Sequence, residues 1–432
     1  MKSTSNKQYI CSELFFSMDL RFTKNVIKNC CKADDYHLDI KDFADPNILI
    51  NNNELKNRKE SMIIKNELPY PGCKTCINFM PNSFFDKRNE FTENLDTEIK
   101  HKLLNEDFVN RFTISLSSAC DLKCVYCSPK DSSSWAKEVG YNISKPNEEW
   151  FNTAFNNFIN YLSLKKYNKD TTYWFIISGG EPTYNPHNFE LISKIIKLVP
   201  NQNLNFVLNT NLNTKPKVFH DYIKLFKDYK DVKWRLDFSC DSVEERAEAI
   251  RYGLNWDRAF SNLKYILDCK LDNVSIRLAN TISAFSAPYF KDDIEFYYDI
   301  FKDDTTKFLH PEDSFNYAVE PGMSIVGMPM YFKNDIDRAI EYCNNNQNLN
   351  YLVDHLQNIH NLIGTKIVDT SPIDFDVAFN YFKIKRPQKD WNKLFPHMQP
   401  MIEHLYEQFP QSERYVPNIK DLKRPVGSYY TS

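Results

Sequence analysis

The run Arg111-Phe-Thr-Ile-Ser-Leu-Ser117, with Cys120-Asp-Leu-Lys-Cys124-Val-Tyr-Cys127 close behind it, decides the fold. Ile114 and Leu116 alternate with Thr113, Ser115 and Ser117, the period of a strand with one apolar and one polar face. Three cysteines then crowd into a loop at that strand's carboxyl end. Outward from this stretch the pattern repeats: short apolar strands at 111–117, 172–178, 205–209, 232–239, 274–280 and 315–320 alternate with amphipathic helical runs at 150–164, 189–199, 218–226, 256–267 and 289–301. Six strand-then-helix units predict a parallel sheet of right-handed βαβ units.

The alternation within the strands sharpens this. Parallel strands covered on both faces read as continuous apolar runs. Here Trp234, Leu236 and Phe238 alternate with Lys233, Arg235, Asp237 and Ser239, and Val274, Ile276 and Leu278 with Ser275 and Arg277. With helices on the apolar face, the polar face lines an interior. That predicts an α/β fold of partial (β/α)6 TIM-like barrel type, since a closed eight-stranded barrel fills its interior with Val, Ile and Leu. A structural Asp237–Arg277 pair in a packed interior is the competing reading. The expected division is a small irregular cysteine-rich region over 1–104, the barrel core over 105–330 and a helical C-terminal extension over 331–432, with helices at 335–343, 352–362 and 391–409.

Composition narrows the chemistry. Among 432 residues there are 9 glycines and 21 prolines, and neither GxGxxG nor GxxxxGK[ST] occurs, so dinucleotide and P-loop cofactors lose their sequence support. The net charge is −3, with 54 basic residues interspersed among 57 acidic ones, so nucleic acid is not indicated as a partner. No run of 18 apolar residues and no secretory leader pattern is present, which reads as a soluble, cytoplasmic protein without a membrane partner. The 11 cysteines are an odd number without a secretion signal, a poorer disulfide framework than a metal framework. Cys240, Cys269 and Cys343 lie in strand or helix patterns and read as inert thiols.

Random placement of the cysteines yields only about 0.007 occurrences of the CxxxCxxC spacing. Three thiolates on one short loop suit three irons of a [4Fe–4S] cube, leaving the fourth iron open. Zinc is the competing occupant, although a structural zinc site takes four protein ligands and no fourth Cys or His lies nearby. The second feature, Ser178-Gly-Gly-Glu-Pro-Thr183, ends the second strand. Gly179 and Gly180 allow a close backbone approach to a ligand, and the Glu181 carboxylate can accept hydrogen bonds from a ligand ammonium. A plain turn is the competing reading. Its place at the carboxyl end of a parallel strand is where ligands of such sheets bind.

Over about 108–330 these residues resemble the radical S-adenosylmethionine (SAM) superfamily. The resemblance implies that Cys120, Cys124 and Cys127 ligate a [4Fe–4S] cluster whose open iron chelates SAM. It also implies that Tyr126 packs near the adenine and that Gly179, Gly180 and Glu181 hold the methionine amino group. Leu236-Asp-Phe-Ser-Cys-Asp-Ser242 and Glu248-Ala-Ile-Arg-Tyr-Gly253 resemble a later strand and its continuation, which implies Ser239 for polar SAM contacts and Arg251 for the SAM carboxylate. Asn209-Thr-Asn211 matches a family strand end, with Leu212 where the family has glycine. The implied activity is reductive cleavage of SAM to a 5′-deoxyadenosyl radical that abstracts a substrate hydrogen, with the electron coming from an external one-electron reductant such as flavodoxin or ferredoxin.

The N-terminal cysteines resemble the auxiliary-cluster arrangement of SPASM or twitch domains. Cys11, then Asn25 ahead of Cys30-Cys31, then Cys73-Lys-Thr-Cys76 would hold a second Fe–S cluster, with Asn25 where the pattern has glycine and with Cys30 or Cys31 as ligand. Here they precede the core, whereas such domains commonly follow it. Because these domains often accompany peptide or protein modification in the family, a polar peptide or protein substrate is expected, and a sugar, nucleotide or other small metabolite is the next reading. Arg235, Asp237, Arg277 and Asn280 on the polar strand face are the candidates to bind it. The reading from another class is a non-catalytic Fe–S or zinc scaffold.

Overall fold

The computed structural model describes residues 11–29, 38–71, 73, 96–143, 146–301, 315–318, 322–365 and 372–412. Among these, ten strands follow one another: β1 Ser17–Arg21, β2 Val26–Lys28, β3 Arg111–Ser115, β4 Lys123–Cys124, β5 Tyr173–Ser178, β6 Leu204–Thr210, β7 Lys233–Ser239, β8 Arg251–Tyr252, β9 Val274–Ile282 and β10 Phe315–Tyr317. Parallel strands alternating with helices make this an α/β fold of partial TIM-like type, followed by the C-terminal helices Lys333–Asn344, Val353–Leu362, Pro372–Lys385 and Met398–Gln408. The described residues form two compact units that interleave along the chain. One takes residues up to Ser118 with Ser144–Leu208 and Leu225–Trp234, and the other takes Ala119–Ile143, Asn209–Lys224 and Arg235 onward.

In the first unit β1, β3, β5 and β6 run parallel in that order, with β2 antiparallel on β1. The register sets Arg21 beside Ser115 and Ser115 beside Ser178. Alternation along β3 and β5 turns Phe112, Ile114, Phe175 and Ile177 into the core, where Phe112 stacks on Phe175 with ring centroids 5.0 Å apart. Helix Glu148–Leu164 covers that face through Phe155, Phe158 and Tyr161 and starts at Asn147, whose side chain accepts from the Trp150 N–H. β1 and β2 lie in the region expected to be irregular. They are short, and β1 takes its place through pairing with β3.

In the second unit β7, β9 and β10 are neighbours, β9 and β10 parallel. Helix Trp256–Asp268 begins at Asn255, which caps the Arg258 N–H, and buries Trp256, Ala259, Leu263 and Ile266, an i, i+3, i+4 stripe. The predicted helix over 391–409 is two: Trp391–Leu394 and Met398–Gln408. Pro396 explains the break, because the residue before a proline is pushed out of helical conformation; Phe395 sits at φ −131°. No helix among the described residues is long and apolar enough to cross a membrane.

Candidate functional site

The cysteine loop belongs to the second unit and is held on every side. Its middle is strand β4, antiparallel to β8, which places Cys124 opposite Arg251 and Lys123 opposite Tyr252. The Val125 N–H continues the ladder by donating to the Ile250 carbonyl at 2.8 Å. Gly253 follows at φ +102°, and a Cβ there would lie 2.9 Å from the Asp121 carbonyl oxygen, so only glycine fits against the loop. The loop's carbonyls are capped from the run Ser132-Ser-Ser-Trp135. Ser132 Oγ donates to the Leu122 carbonyl at 2.7 Å, Ser134 Oγ to that of Cys120 at 2.7 Å, and the buried Trp135 Nε1 to that of Cys124 at 2.8 Å.

Two carboxylates that the sequence reading did not single out anchor the loop. Asp121 accepts from the side-chain amides of Asn211 at 3.2 Å and Asn213 at 2.7 Å. Between these asparagines Leu212 is fully buried at φ +54°, a left-handed leucine where the family pattern has glycine. Asp241 is fully buried and saturated. It accepts the Tyr126 hydroxyl, the Thr281 N–H at 2.8 Å, Arg251 Nη2 at 2.9 Å, and pairs with Arg251 Nε at 2.8 Å. Arg251 thus directs one edge of its fork to Asp241, while its Nη1 donates to Cys124 Sγ at 3.8 Å. Its guanidinium also lies 5.6 Å from the centre of the Tyr126 ring. Burial pushes the Cys124 thiol up, against the pull of the Arg251 guanidinium, and burial also holds the Tyr126 hydroxyl well above its ordinary range.

Cys124 is buried and Cys120 and Cys127 are half-buried. The Leu122 N–H faces Cys120 Sγ at 3.5 Å. Among the described residues no three Cys, His, Asp or Glu side chains converge as they would on a single metal ion. The donor set fits an iron–sulfur cluster better, because in a cube each thiolate takes a different iron. N–H donors already turned on two of the sulfurs are the outer contacts that such clusters use.

The Gly179-Gly180-Glu181 turn belongs to the first unit. Gly179 has φ +81° and Gly180 φ +54°. A Cβ on Gly179 would lie 1.8 Å from Ser115 Oγ and 3.1 Å from the Ser117 carbonyl oxygen, so the neighbouring chain alone demands that glycine, whatever ligand the turn meets. Glu181 is buried and accepts from the Thr183 N–H at 3.1 Å and the Thr183 hydroxyl at 2.7 Å, capping the short 3-10 turn Pro182–Tyr184. Asn185 donates to Ser117 Oγ at 3.0 Å.

The remaining candidates divide in the same way. Ser239 ends β7, half-buried. Arg277 pairs through Nε at 3.0 Å and Nη2 with the buried Asp237, and Arg235 joins from the same strand at 3.1 Å, so the competing structural-pair reading describes these three side chains. Asn280 is buried, and its Oδ1 has no hydrogen-bond partner among the described residues. Cys240 is an inert thiol, its pKa pushed up to about 12 by burial, and its Sγ lies against the Tyr297 hydroxyl at 2.6 Å. Cys343 is buried and likewise pushed up to about 12. Cys11 and Cys73 lie in the first unit, while Cys30, Cys31 and Cys76 lie outside the described residues. Asn25 is left-handed at φ +49°, the conformation that a glycine at that place would supply.

Residues 114–280 match the family model described as Radical SAM superfamily. The match spans under half of the chain and takes in both the cysteine loop and the Gly179-Gly180-Glu181 turn. No curated protein matches. Among solved structures, native anSMEcpe with bound AdoMet is similar at 18% identity and a TM-score of 0.36, over 53% of this chain and 57% of that one. The same protein with bound AdoMet and the Kp18Cys peptide is similar at 18% identity and a TM-score of 0.38, over 54% and 59%. The chain thus spans under two thirds of the length of these structures, and a likeness of this degree assigns it no substrate.

Proposed function

We propose that this chain is a radical SAM enzyme that abstracts hydrogen from a polar substrate, a peptide or protein side chain. The observation that carries the reading is the loop of three cysteines, braced from Asp121, Asp241, Arg251 and Trp135, within the residues that match the superfamily. When bound, the cluster and SAM supply a one-electron cleavage that yields methionine and a 5′-deoxyadenosyl radical. The chain's own part is to position and exclude. Cys120, Cys124 and Cys127 would hold the cluster, and the Asp241–Arg251–Tyr126 set keeps Cys124 and its neighbours in one arrangement. By the family pattern, Gly179, Gly180 and Glu181 contact the SAM amino group. Glu181 is already oriented by Thr183, so little ordering is left to do when that group arrives.

The peptide reading rests on the N-terminal cysteine pattern, with left-handed Asn25 at the position of the pattern's glycine. In this reading Cys11, Cys30, Cys73 and Cys76 hold an auxiliary Fe–S cluster. Asn280, with its buried unpartnered oxygen, is the strand-face residue left for a polar substrate. An external one-electron donor completes the system.

Deuterated peptide mixtures and deuterated sugars or nucleotides, each incubated with the reduced, reconstituted protein and SAM, test the substrate class. Peptide mixtures are expected to transfer deuterium into 5′-deoxyadenosine; transfer only from sugars or nucleotides overturns the peptide reading. Replacing Cys73 and Cys76 with Ala is expected to lower bound iron while sparing the core cluster, and unchanged iron removes the auxiliary cluster.

A further inference from the structure

The C-terminal helix Pro372–Lys385 delivers one residue that neither the composition nor the family pattern explains. Arg386 is fully buried at its end. Its guanidinium lies against three aromatic rings, 5.1 Å from the centre of Trp135, 4.6 Å from Tyr252 and 4.6 Å from Phe382. One nitrogen, Nη2, donates to the Lys123 carbonyl in the middle of the cysteine loop at 2.9 Å. Nε and Nη1 are buried with no hydrogen-bond partner among the described residues. The nearby carboxylate, Glu138, pairs with Lys123 Nζ at 2.5 Å and accepts the Tyr381 hydroxyl at 3.2 Å.

A buried cation without a paired anion costs several kcal/mol, so a fold retains one where a negative charge arrives to meet it. Burial lowers the Arg386 pKa to about 10, which leaves it charged at neutral pH. Two of its contacts lead to the cluster loop: it bonds the carbonyl of Lys123, next to Cys124, and packs on Trp135, which bonds the Cys124 carbonyl. Three thiolates around a doubly positive iron–sulfur cube leave one negative charge, and reduction adds a second. We propose that Arg386 supplies the buried positive charge that balances the reduced cluster, and so raises its reduction potential from behind the loop. This rests on the reading of Cys120, Cys124 and Cys127 as cluster ligands. Arg386 acts by its charge from behind the loop and is not a catalytic residue.

The test is an EPR-monitored redox titration of the reconstituted full chain, with dithionite as electron donor and without SAM turnover. Arg386→Gln keeps a donor for the Lys123 carbonyl and removes the charge; at a fixed ambient potential its ratio of reduced to oxidised cluster is expected to fall about tenfold, a shift of about 59 mV to more negative potential. Arg386→Met is expected to match it. Arg386→Lys restores the charge and is expected within about twofold of wild type. The Tm gained on loading the cluster is also expected to shrink in the Gln and Met variants. Equal potentials in wild type, Gln and Met, or a Lys variant displaced as far as Gln, overturn the inference. A further readout needs no variant: the wild-type potential is expected to hold as salt rises from about 0.05 to 0.5 M, because a buried charge escapes screening, and a marked drift assigns the control to surface lysines. A wild-type chain that binds no reducible cluster overturns the functional reading itself, a result distinct from a cluster whose potential ignores Arg386.

Discussion

At the scale of single residues, the cysteine loop depends on positions that carry no chemistry. Gly253 has positive φ and a carbonyl oxygen where a Cβ would go. Gly253→Ala is expected to cost about 1 to 3 kcal/mol and to drop the iron bound on reconstitution below half of wild type, checked by urea denaturation and iron analysis. Asp241 is the loop's buried anion. Asp241→Asn leaves Arg251 without its partner, and the expected loss is about 3 to 5 kcal/mol by the same denaturation measurement. Cys120, Cys124, Cys127 and Glu181 were legible because the chemistry sits in contiguous runs whose spacing means something on its own. Asp121, Asn213, Asp241 and Arg386 were not, since each acquires its role from a partner brought up by the fold, as when Asn213 reaches Asp121 across the intervening sequence. Leu212 lies between. The sequence marked it as a departure from glycine, and only the backbone shows that the left-handed turn persists regardless.

At the scale of elements, the strands and the strongly amphipathic helices were readable because one face is buried and the other is not, as in helix Pro216–Asp228. Helix Pro372–Lys385 escaped that reading. Its buried Phe375, Ala378, Phe379 and Phe382 do share one stripe, but Ile373, Val377, Tyr381 and Ile384 put apolar residues on the other face too, so no contrast between faces marks it. β1 and β2 escaped because runs of five and three residues are too short for a period to declare itself. Helix Met398–Gln408 carries a pH signature at its start. The His397 ring donates from Nε2 to the Ala284 carbonyl at 2.8 Å, and its Nδ1 lies 3.3 Å from the Tyr289 hydroxyl, which donates to the Leu394 carbonyl. Burial pulls its pKa down to about 4. The folded chain then binds fewer protons than the unfolded one between pH 4 and 6.5, so the stabilisation is complete above about 6.5 and is lost as pH falls toward 4. The expected loss is roughly 2 kcal/mol, allowing for the partly exposed ring, and His397→Gln is expected to flatten that part of the stability profile in denaturation series across pH.

At the scale of the whole molecule, the second unit joins the cysteine loop, the Asp241–Arg251 pair and the C-terminal helices in one compact body. The C-terminal extension is therefore a wall of the cysteine loop's housing, meeting it through Arg386 at Lys123, Tyr381 at Glu138 and Lys389 at Glu248. The alternation of polar and apolar strand residues had predicted a polar interior. In the second unit much of that polarity is consumed by Arg277, Asp237 and Arg235 pairing among themselves. Residue patterning reports which face is polar, whereas which polar groups neutralise each other depends on register between strands. On the proposed function, the three-cysteine loop supports reductive cleavage of SAM. Anaerobic reconstitution with iron and sulfide, reduction, addition of SAM and quantitation of 5′-deoxyadenosine and methionine test it directly. Both products are expected in equal amounts from the wild-type chain and neither from the Cys120→Ala, Cys124→Ala or Cys127→Ala variants. A chain that binds four irons through these cysteines yet leaves SAM intact on reduction would contradict it and favour a non-catalytic iron–sulfur scaffold.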